Sequence, residues 1–166
     1  MKYLPGNIVK IKIVMPIAKL LKQGMTSEKL ALTVALGVTL GIFPVIGSTT
    51  LLCTLAVFLL GLNLPAIQAV NYITYPLQLI LLIPFYKTGN FLLGSGAINL
   101  TPLSVLELIR KDIWEAIQDL WVITIHAIFV WLLIAPLLII IIYFMLFPIF
   151  RKVSVSYQNL SDTPTM

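Results

Sequence analysis

The sequence predicts an all-α, polytopic integral membrane protein, and its composition is the first reason for this prediction. Hydrophobic residues make up 60% of the 166 residues and charged residues only 10%, whereas soluble domains carry about 25% charged residues. A soluble fold of this size cannot bury so much apolar surface, and disorder requires the opposite composition. The single cysteine, Cys53, excludes a disulfide scaffold.

The distribution of charge is the second reason, because two long segments lack Asp, Glu, Lys and Arg. Residues 30–86 form a run of 57 residues, and residues 120–150 form a run of 31. A spanning helix needs roughly 20 apolar residues, so the first run has room for two or three passes and the second for one. We therefore predict one helical membrane domain over residues 1–153, followed by a polar tail over residues 154–166.

The basic residues predict the orientation. Six of the eleven precede the first apolar run, where only Glu28 opposes them. The positive-inside rule then predicts a cytoplasmic N-terminus. The net charge of +5 indicates orientation and contact with anionic membrane lipids, not nucleic-acid binding.

The N-terminal half predicts an amphipathic helix and then a broken hairpin. Residues 8–23 are basic and amphipathic, typical of a helix on the inner membrane surface that is an anchor or a lipid or partner site. In residues 30–62, two apolar pieces of 14 and 12 residues flank a Pro/Gly break at residues 44–47. Both are too short to span, which favours a re-entrant hairpin. Its break must face protein or a wet cavity.

The C-terminal half leaves two topologies open. Residues 66–93 form a membrane segment interrupted by Pro76, residues 104–120 a second amphipathic helix, and residues 121–147 the clearest spanning helix. If residues 66–93 cross once, the C-terminus is cytoplasmic. If Pro76 folds them into a second hairpin, it lies outside. We favour the single crossing.

The break supplies the first candidate site. Ser48, Thr49 and Thr50 begin a half-helix whose first N–H groups lack intrahelical partners and carry the positive end of the helix dipole. Such a terminus can hold a phosphate or carboxylate. The local alternative is that Ser48 only caps the helix and Gly47 only allows a tight turn.

A polar stripe supplies the second candidate. Gln68, Asn71, Tyr75 and Gln78 are spaced by three, four and three residues, which predicts one helical face. Polar residues inside a membrane mark a translocation path, but they also form hydrogen bonds between helices. Both roles stay open.

Other residues predict packing and no chemistry. Gly37 and Gly41 form a G-x-x-x-G pair that allows close helix contact. His126 is alone in an apolar segment, where a neutral, hydrogen-bonded histidine is the simpler interpretation. Because the sequence has no metal-ligand spacing, no phosphate-binding loop and no nucleophile elbow, we expect no metal, no cofactor and no catalysis by this chain.

A set of small, polar and proline residues occurs in a fixed order between residues 28 and 94: Gly37, Gly41, Pro44, Gly47, Thr50, Asn63, Leu64, Pro65, Ala66, Asn71, Pro76, Tyr86 and Gly89. In these residues the stretch resembles a bacterial membrane family known as a domain of unknown function, DUF2062. One position departs from the family pattern: Tyr72 stands where the family commonly has proline after the matched asparagine. The resemblance implies a protein of the bacterial inner membrane. Some relatives are fused to glycosyltransferase domains, which implies cell-envelope metabolism.

Two functional hypotheses follow. The first is a small translocator or binder of an anionic lipid resembling a polyprenyl phosphate, with the headgroup at Ser48–Thr50 and a path lined by Gln68, Asn71 and Gln78. It implies a homo-oligomer, with Gly37 and Gly41 as a contact face. The alternative is a non-catalytic anchor or accessory subunit that docks an envelope enzyme, such as a glycosyltransferase, through its basic and acidic helices.

Overall fold

The computed structural model of the chain describes residues 25–93 and 113–161. Within these two stretches every regular element is an α-helix, so the all-α prediction is confirmed for them. The helix predicted for residues 8–23 and most of the one predicted for residues 104–120 lie outside the described residues. The helices are α1 (Ser27–Gly41), α2 (Thr49–Leu60), α3 (Leu64–Leu93) and α4 (Ile113–Ser161).

Helices α1 and α2 form a hairpin in which the start of α1 lies beside the end of α2. The Thr26 hydroxyl caps α1 by accepting a hydrogen bond from the backbone N–H of Lys29, at 3.2 Å. Helix α2 ends at Gly61, whose φ of +60° is typical of a helix C-cap. The Lys29 ammonium donates to the Gly61 carbonyl at 3.4 Å. The start of α1 and the end of α2 therefore share one end of the molecule, which we name the base.

Residues 42–48 connect the two helices at the other end of the hairpin, and we name this segment the tip. Helix α1 ends before Pro44 because a proline disfavours the helical conformation of the residue preceding it. Gly47 has a φ of +87°, which glycine adopts without strain. With 15 and 12 residues, α1 and α2 are about 22 and 18 Å long. Each is shorter than the roughly 30 Å hydrocarbon core of a bilayer.

Helix α3 begins directly after the hairpin and continues past the tip. The Asn63 side chain caps it by accepting from the Ala66 N–H at 2.9 Å, and Pro65 lies in the first turn, where no donor is needed. The helix runs through Pro76 and Pro84 for 30 residues, about 45 Å. The alternative of a second hairpin at Pro76 is therefore wrong. Both prolines lie on the exposed side of α3, and each removes a single N–H from the helix.

Helix α4 is longer than the sequence predicted. It runs 49 residues from Ile113 to Ser161 through Pro136 and Pro148, where the sequence predicted an amphipathic helix to residue 120, a spanning helix over residues 121–147 and a polar tail from residue 154. No glycine occurs in this stretch, so nothing favours a C-cap before its end. The first eight residues of the predicted tail continue the helix.

Helix α1 is the innermost element, packed against α2, α3 and α4. Leu30 and Ala31 pack against Phe150 at the base, whereas Ile42 packs with Phe85 and Trp131 at the tip. Helix α4 therefore runs antiparallel to α1. Two helical stretches, Leu64–Leu93 and Leu120–Val155, are long and apolar enough to cross a membrane.

Glycines bring α1 and α4 close to α3. A Cβ atom added to Gly37 would lie 2.8 Å from the Cβ of Val70, and one added to Gly41 would lie 3.0 Å from the Cβ of Thr74. The Gly37–Gly41 face thus packs inside the chain and does not offer the expected contact to a second copy. Beyond the tip, a Cβ added to Gly89 would lie 2.5 Å from the carbonyl carbon of His126 on α4.

The contact at Gly89 predicts a loss of stability on adding one methyl group. Gly89→Ala pushes α3 away from the α4 backbone, which cannot rotate aside as a side chain can. Overpacking costs about 1–3 kcal/mol, partly offset by the higher helix propensity of alanine. Thermal unfolding in detergent, followed by circular dichroism, should give a lower Tm for Gly89→Ala than for Thr88→Ala, its exposed neighbour. Equal Tm values would show that the helices can separate at no cost.

Candidate functional site

The backbone of the tip is held by α3. The Gln78 side chain is 1% exposed, and its Nε2 donates to the carbonyls of Phe43, at 2.7 Å, and Val45, at 3.4 Å. The Tyr86 hydroxyl donates to the carbonyl of Pro44 at 3.2 Å. Each of the three carbonyls around the break therefore accepts a hydrogen bond from α3.

Helix α4 holds the end of α1 in the same way. The Trp131 indole N–H donates to the Thr39 carbonyl at 3.0 Å, one of the last carbonyls of α1, which lack intrahelical donors. The rings of Trp131 and Phe43 meet edge to face with centroids 4.9 Å apart, a favourable aromatic arrangement. The tip is thus fixed from two sides.

The tip lies near the middle of α3. Gln78 comes 14 residues after the start of that helix, a rise of about 21 Å. This distance agrees with the lengths of α1 and α2. The hairpin therefore reaches about half of the length of α3, and only α3 and α4 continue beyond it among the described helices.

The beginning of α2 presents unused donors at the tip. Ser48 precedes α2 but makes no side-chain cap, because its hydroxyl donates to the Val45 carbonyl at 2.8 Å. No described residue accepts a hydrogen bond from the backbone N–H groups of Thr49, Thr50 or Leu51. Thr49 is buried and Thr50 is exposed. The carbonyls of Phe43, Pro44 and Val45 are thus occupied, whereas the positive end of α2 keeps free donors.

The polar stripe of α3 lies between α2 and the tip. Gln68 Nε2 donates to the Thr50 carbonyl at 3.0 Å and to the Thr54 hydroxyl at 3.1 Å. Asn71, 3% exposed, donates from Nδ2 to Gln68 Oε1 at 3.2 Å. With Gln78 on the tip carbonyls, three of the four predicted residues hydrogen-bond inside the bundle.

Tyr75 is the predicted stripe residue that the structure does not bring into this face, since it is 44% exposed. The buried residues Ile67, Asn71, Thr74 and Gln78 define the inner face of α3. At 100° per residue, Tyr75 lies about 70° from the centre of this face, whereas Thr74 lies about 30° from it. Thr74, 6% exposed, lies in the buried face instead. Its hydroxyl donates to the Val70 carbonyl at 2.8 Å.

Sequence reasoning assigned no site role to Tyr86, Trp131 or Thr39. The sequence did single out Tyr86, because it belongs to the residues that match the family pattern. Nothing in the sequence singled out Trp131, since its partner Thr39 is 92 residues away in the chain. Long-range pairs of this kind have no local spacing that could reveal them.

Three buried polar atoms have no hydrogen-bond partner within the described part of the chain: Thr39 Oγ1, Gln78 Oε1 and His126 Nδ1. The first two belong to residues that hold the tip. His126 contacts Gly89 through its backbone, beyond the tip. Cys53 is fully buried among Leu36, Leu62 and Ile67, as expected of a small apolar side chain.

No group of three or more His, Cys, Asp or Glu side chains could hold a metal ion among residues 25–93 and 113–161. The chemistry available at the tip is therefore that of backbone N–H groups, hydroxyls and amides. Such a donor set binds phosphate or carboxylate oxygens.

A comparison with protein families finds one family whose model matches most of the chain. The family described as "Uncharacterized protein conserved in bacteria (DUF2062)" matches residues 15–158. The chain belongs to this family. The resemblance predicted from residues 28–94 is confirmed, and the DUF2062 match also covers α4, which carries Trp131, as far as residue 158. No curated protein and no solved structure matches the chain.

Loss of the Gln78 amide should destabilise the protein. Gln78→Leu removes the amide that donates to the Phe43 carbonyl at 2.7 Å and to the Val45 carbonyl at 3.4 Å. Both carbonyls keep a local donor, the Val45 N–H and the Ser48 hydroxyl, so the expected cost is that of a lost hydrogen bond, about 0.5–1.5 kcal/mol. Thermal unfolding in detergent should give a lower Tm for this variant. Gln118→Leu makes the same chemical change at an exposed position of α4 and should leave the Tm unchanged. A Tm for Gln78→Leu equal to that of Gln118→Leu would contradict the role of Gln78.

Proposed function

We propose that the protein is a multi-pass protein of the bacterial inner membrane that binds, and in its working cycle translocates, an anionic lipid resembling a polyprenyl phosphate in cell-envelope metabolism. The observation that carries the proposal is the polarity of the tip. The carbonyls of Phe43, Pro44 and Val45 accept hydrogen bonds from Gln78, Tyr86 and Ser48. The first N–H groups of α2 donate to no described residue. An acceptor-rich, anionic group complements these donors.

The lengths and surfaces of the helices support the membrane placement. The stretches Leu64–Leu93 and Leu120–Val155 are long and apolar enough to cross, and large apolar side chains such as Phe91, Leu133 and Phe144 point outward. In this placement α3 and α4 cross the membrane. The hairpin enters from the base and ends about halfway, as a re-entrant hairpin does.

The charges support an orientation with the base in the cytoplasm. Lys29, Arg151 and Lys152 lie at the base, because their neighbours Leu30 and Phe150 pack together there. The positive-inside rule assigns such an end to the cytoplasm. Both termini then lie on the cytoplasmic side, in agreement with a single crossing by α3.

The orientation predicts the labelling of single cysteines in a Cys53→Ala background. Val155→Cys lies past the base and Gln118→Cys lies at the opposite end of α4, and both positions are exposed. A membrane-impermeant maleimide should label Gln118→Cys in intact spheroplasts and Val155→Cys in inverted inner-membrane vesicles. Labelling of both positions from the same side would contradict a crossing by α4.

Lipid binding at the tip predicts a difference between two variants of one residue. Asp and Asn side chains have nearly the same size, and both replace the Ser48 hydroxyl that donates to Val45, so Ser48→Asp and Ser48→Asn should perturb the start of α2 to a similar extent. The carboxylate repels a phosphate at the free N–H groups, and the amide does not. We expect affinity for a short-chain polyprenyl phosphate, measured by native mass spectrometry, to fall about ten-fold or more in Ser48→Asp alone.

The uncharged polyprenol serves as the matched ligand, and its binding should not distinguish the two variants. Unchanged affinity of Ser48→Asp for the phosphate would refute the tip site. A protein partner retained in fixed stoichiometry, with bulk lipid only, would instead favour an accessory subunit.

A further inference from the structure

The base carries a second concentration of positive charge, separate from the tip. Lys29 lies in the first turn of α1, and Arg151 and Lys152 lie near the C-terminal end of α4. The packing of Leu30 and Ala31 against Phe150 brings these distant parts of the chain to one level. Three cations from two helices therefore lie at the same end of the bundle.

No acidic side chain among the described residues neutralises these cations. Glu28 is the acidic residue at this end within the described residues, and it forms no ion pair there. The Lys29 ammonium contacts the Gly61 carbonyl, whereas the side chains of Arg151 and Lys152 are exposed and have no hydrogen bond or ion pair to any described residue. Like charges gathered at one end of the bundle favour an external anion.

The depth at which these cations lie in the membrane indicates the chemical class of the anion. Arg151 directly follows the uncharged run of residues 120–150, so in the proposed placement it lies where the hydrocarbon ends. The Lys29 ammonium, at 3.4 Å from the Gly61 carbonyl, lies at the base of the hairpin beside this border. Phosphate groups of the inner leaflet occupy this depth, and basic pockets between helices on the cytoplasmic side bind them.

We infer that Lys29, Arg151 and Lys152 form a binding site for the phosphate headgroup of an anionic phospholipid in the inner leaflet. The bound lipid bridges α1 and α4 at the base and stabilises the bundle, because it neutralises charges that otherwise repel one another. The inference rests on the proposed membrane placement and not on lipid binding at the tip. Ser48→Asp should accordingly leave it unaffected, so failure of one site does not imply failure of the other.

The test measures the rise in Tm of the detergent-solubilised protein on adding phosphatidylglycerol. Removal of two cations in Arg151→Gln/Lys152→Gln should weaken the apparent affinity on the order of 10- to 30-fold. Lys87→Gln is the control, since Lys87 is exposed on α3 beyond the tip and should respond as the wild type does. Raising the salt concentration to 1 M should also reduce the response, because these charges are exposed.

Three results would overturn the inference. The double variant could respond to phosphatidylglycerol as the wild type does, which excludes these cations. Phosphatidylcholine could give the same rise in Tm, which excludes selection of an anionic lipid. Inorganic phosphate alone could reproduce the rise, which would assign the site to a free anion and not to a lipid.

Discussion

The hydrogen bonds that Gln78 and Tyr86 donate to the tip are the interactions on which the rest of the structure depends. Pro44 ends α1 and leaves backbone carbonyls that apolar surroundings cannot satisfy. Meeting this need with side chains of α3 fixes how far the hairpin extends along that helix. The close approach then requires the small residues Gly37 and Gly41 on α1, where a Cβ would collide with α3.

Because of the same constraint, the two ends of α2 expose different chemical groups. At the tip, side-chain donors of α3 occupy the carbonyls of Phe43, Pro44 and Val45, and the first N–H groups of α2 donate to no described residue. At the base, the end of α2 is closed by the left-handed Gly61 and by the Lys29 ammonium, as the negative end of a helix dipole favours. The hairpin therefore presents an end with free N–H donors at the tip and a capped end at the base.

The local part of this arrangement was predictable from the sequence, and the long-range part was not. Pro44 and Gly47 marked the tip, and Asn63 and Pro65 marked the start of α3, because turn and cap chemistry depends on neighbouring residues. Tyr75 was predicted on the buried face, since spacing defines a stripe but not where its centre packs. The pairing of Trp131 with Thr39 depends on where α4 docks, and no periodicity contains that information. The full length of α4 was also missed, because a helix without glycine has no stop signal at the membrane border.

Helix α2 is the part of the bundle that is least costly to displace. Of its side chains, Thr49 and Cys53 are buried, whereas α1 buries eight residues. Both of its flanking turns contain a glycine with positive φ, and its polar contacts to α3 are the two hydrogen bonds of Gln68. At about 0.5–1.5 kcal/mol net for each hydrogen bond, breaking these polar contacts requires only a few kcal/mol.

Gln68 and Asn71 can line a path only when α2 moves, because in the closed bundle their amides are engaged with α2 and with each other. A protein that only binds a lipid at the tip needs no such movement, whereas one that translocates it must open between α2 and α3.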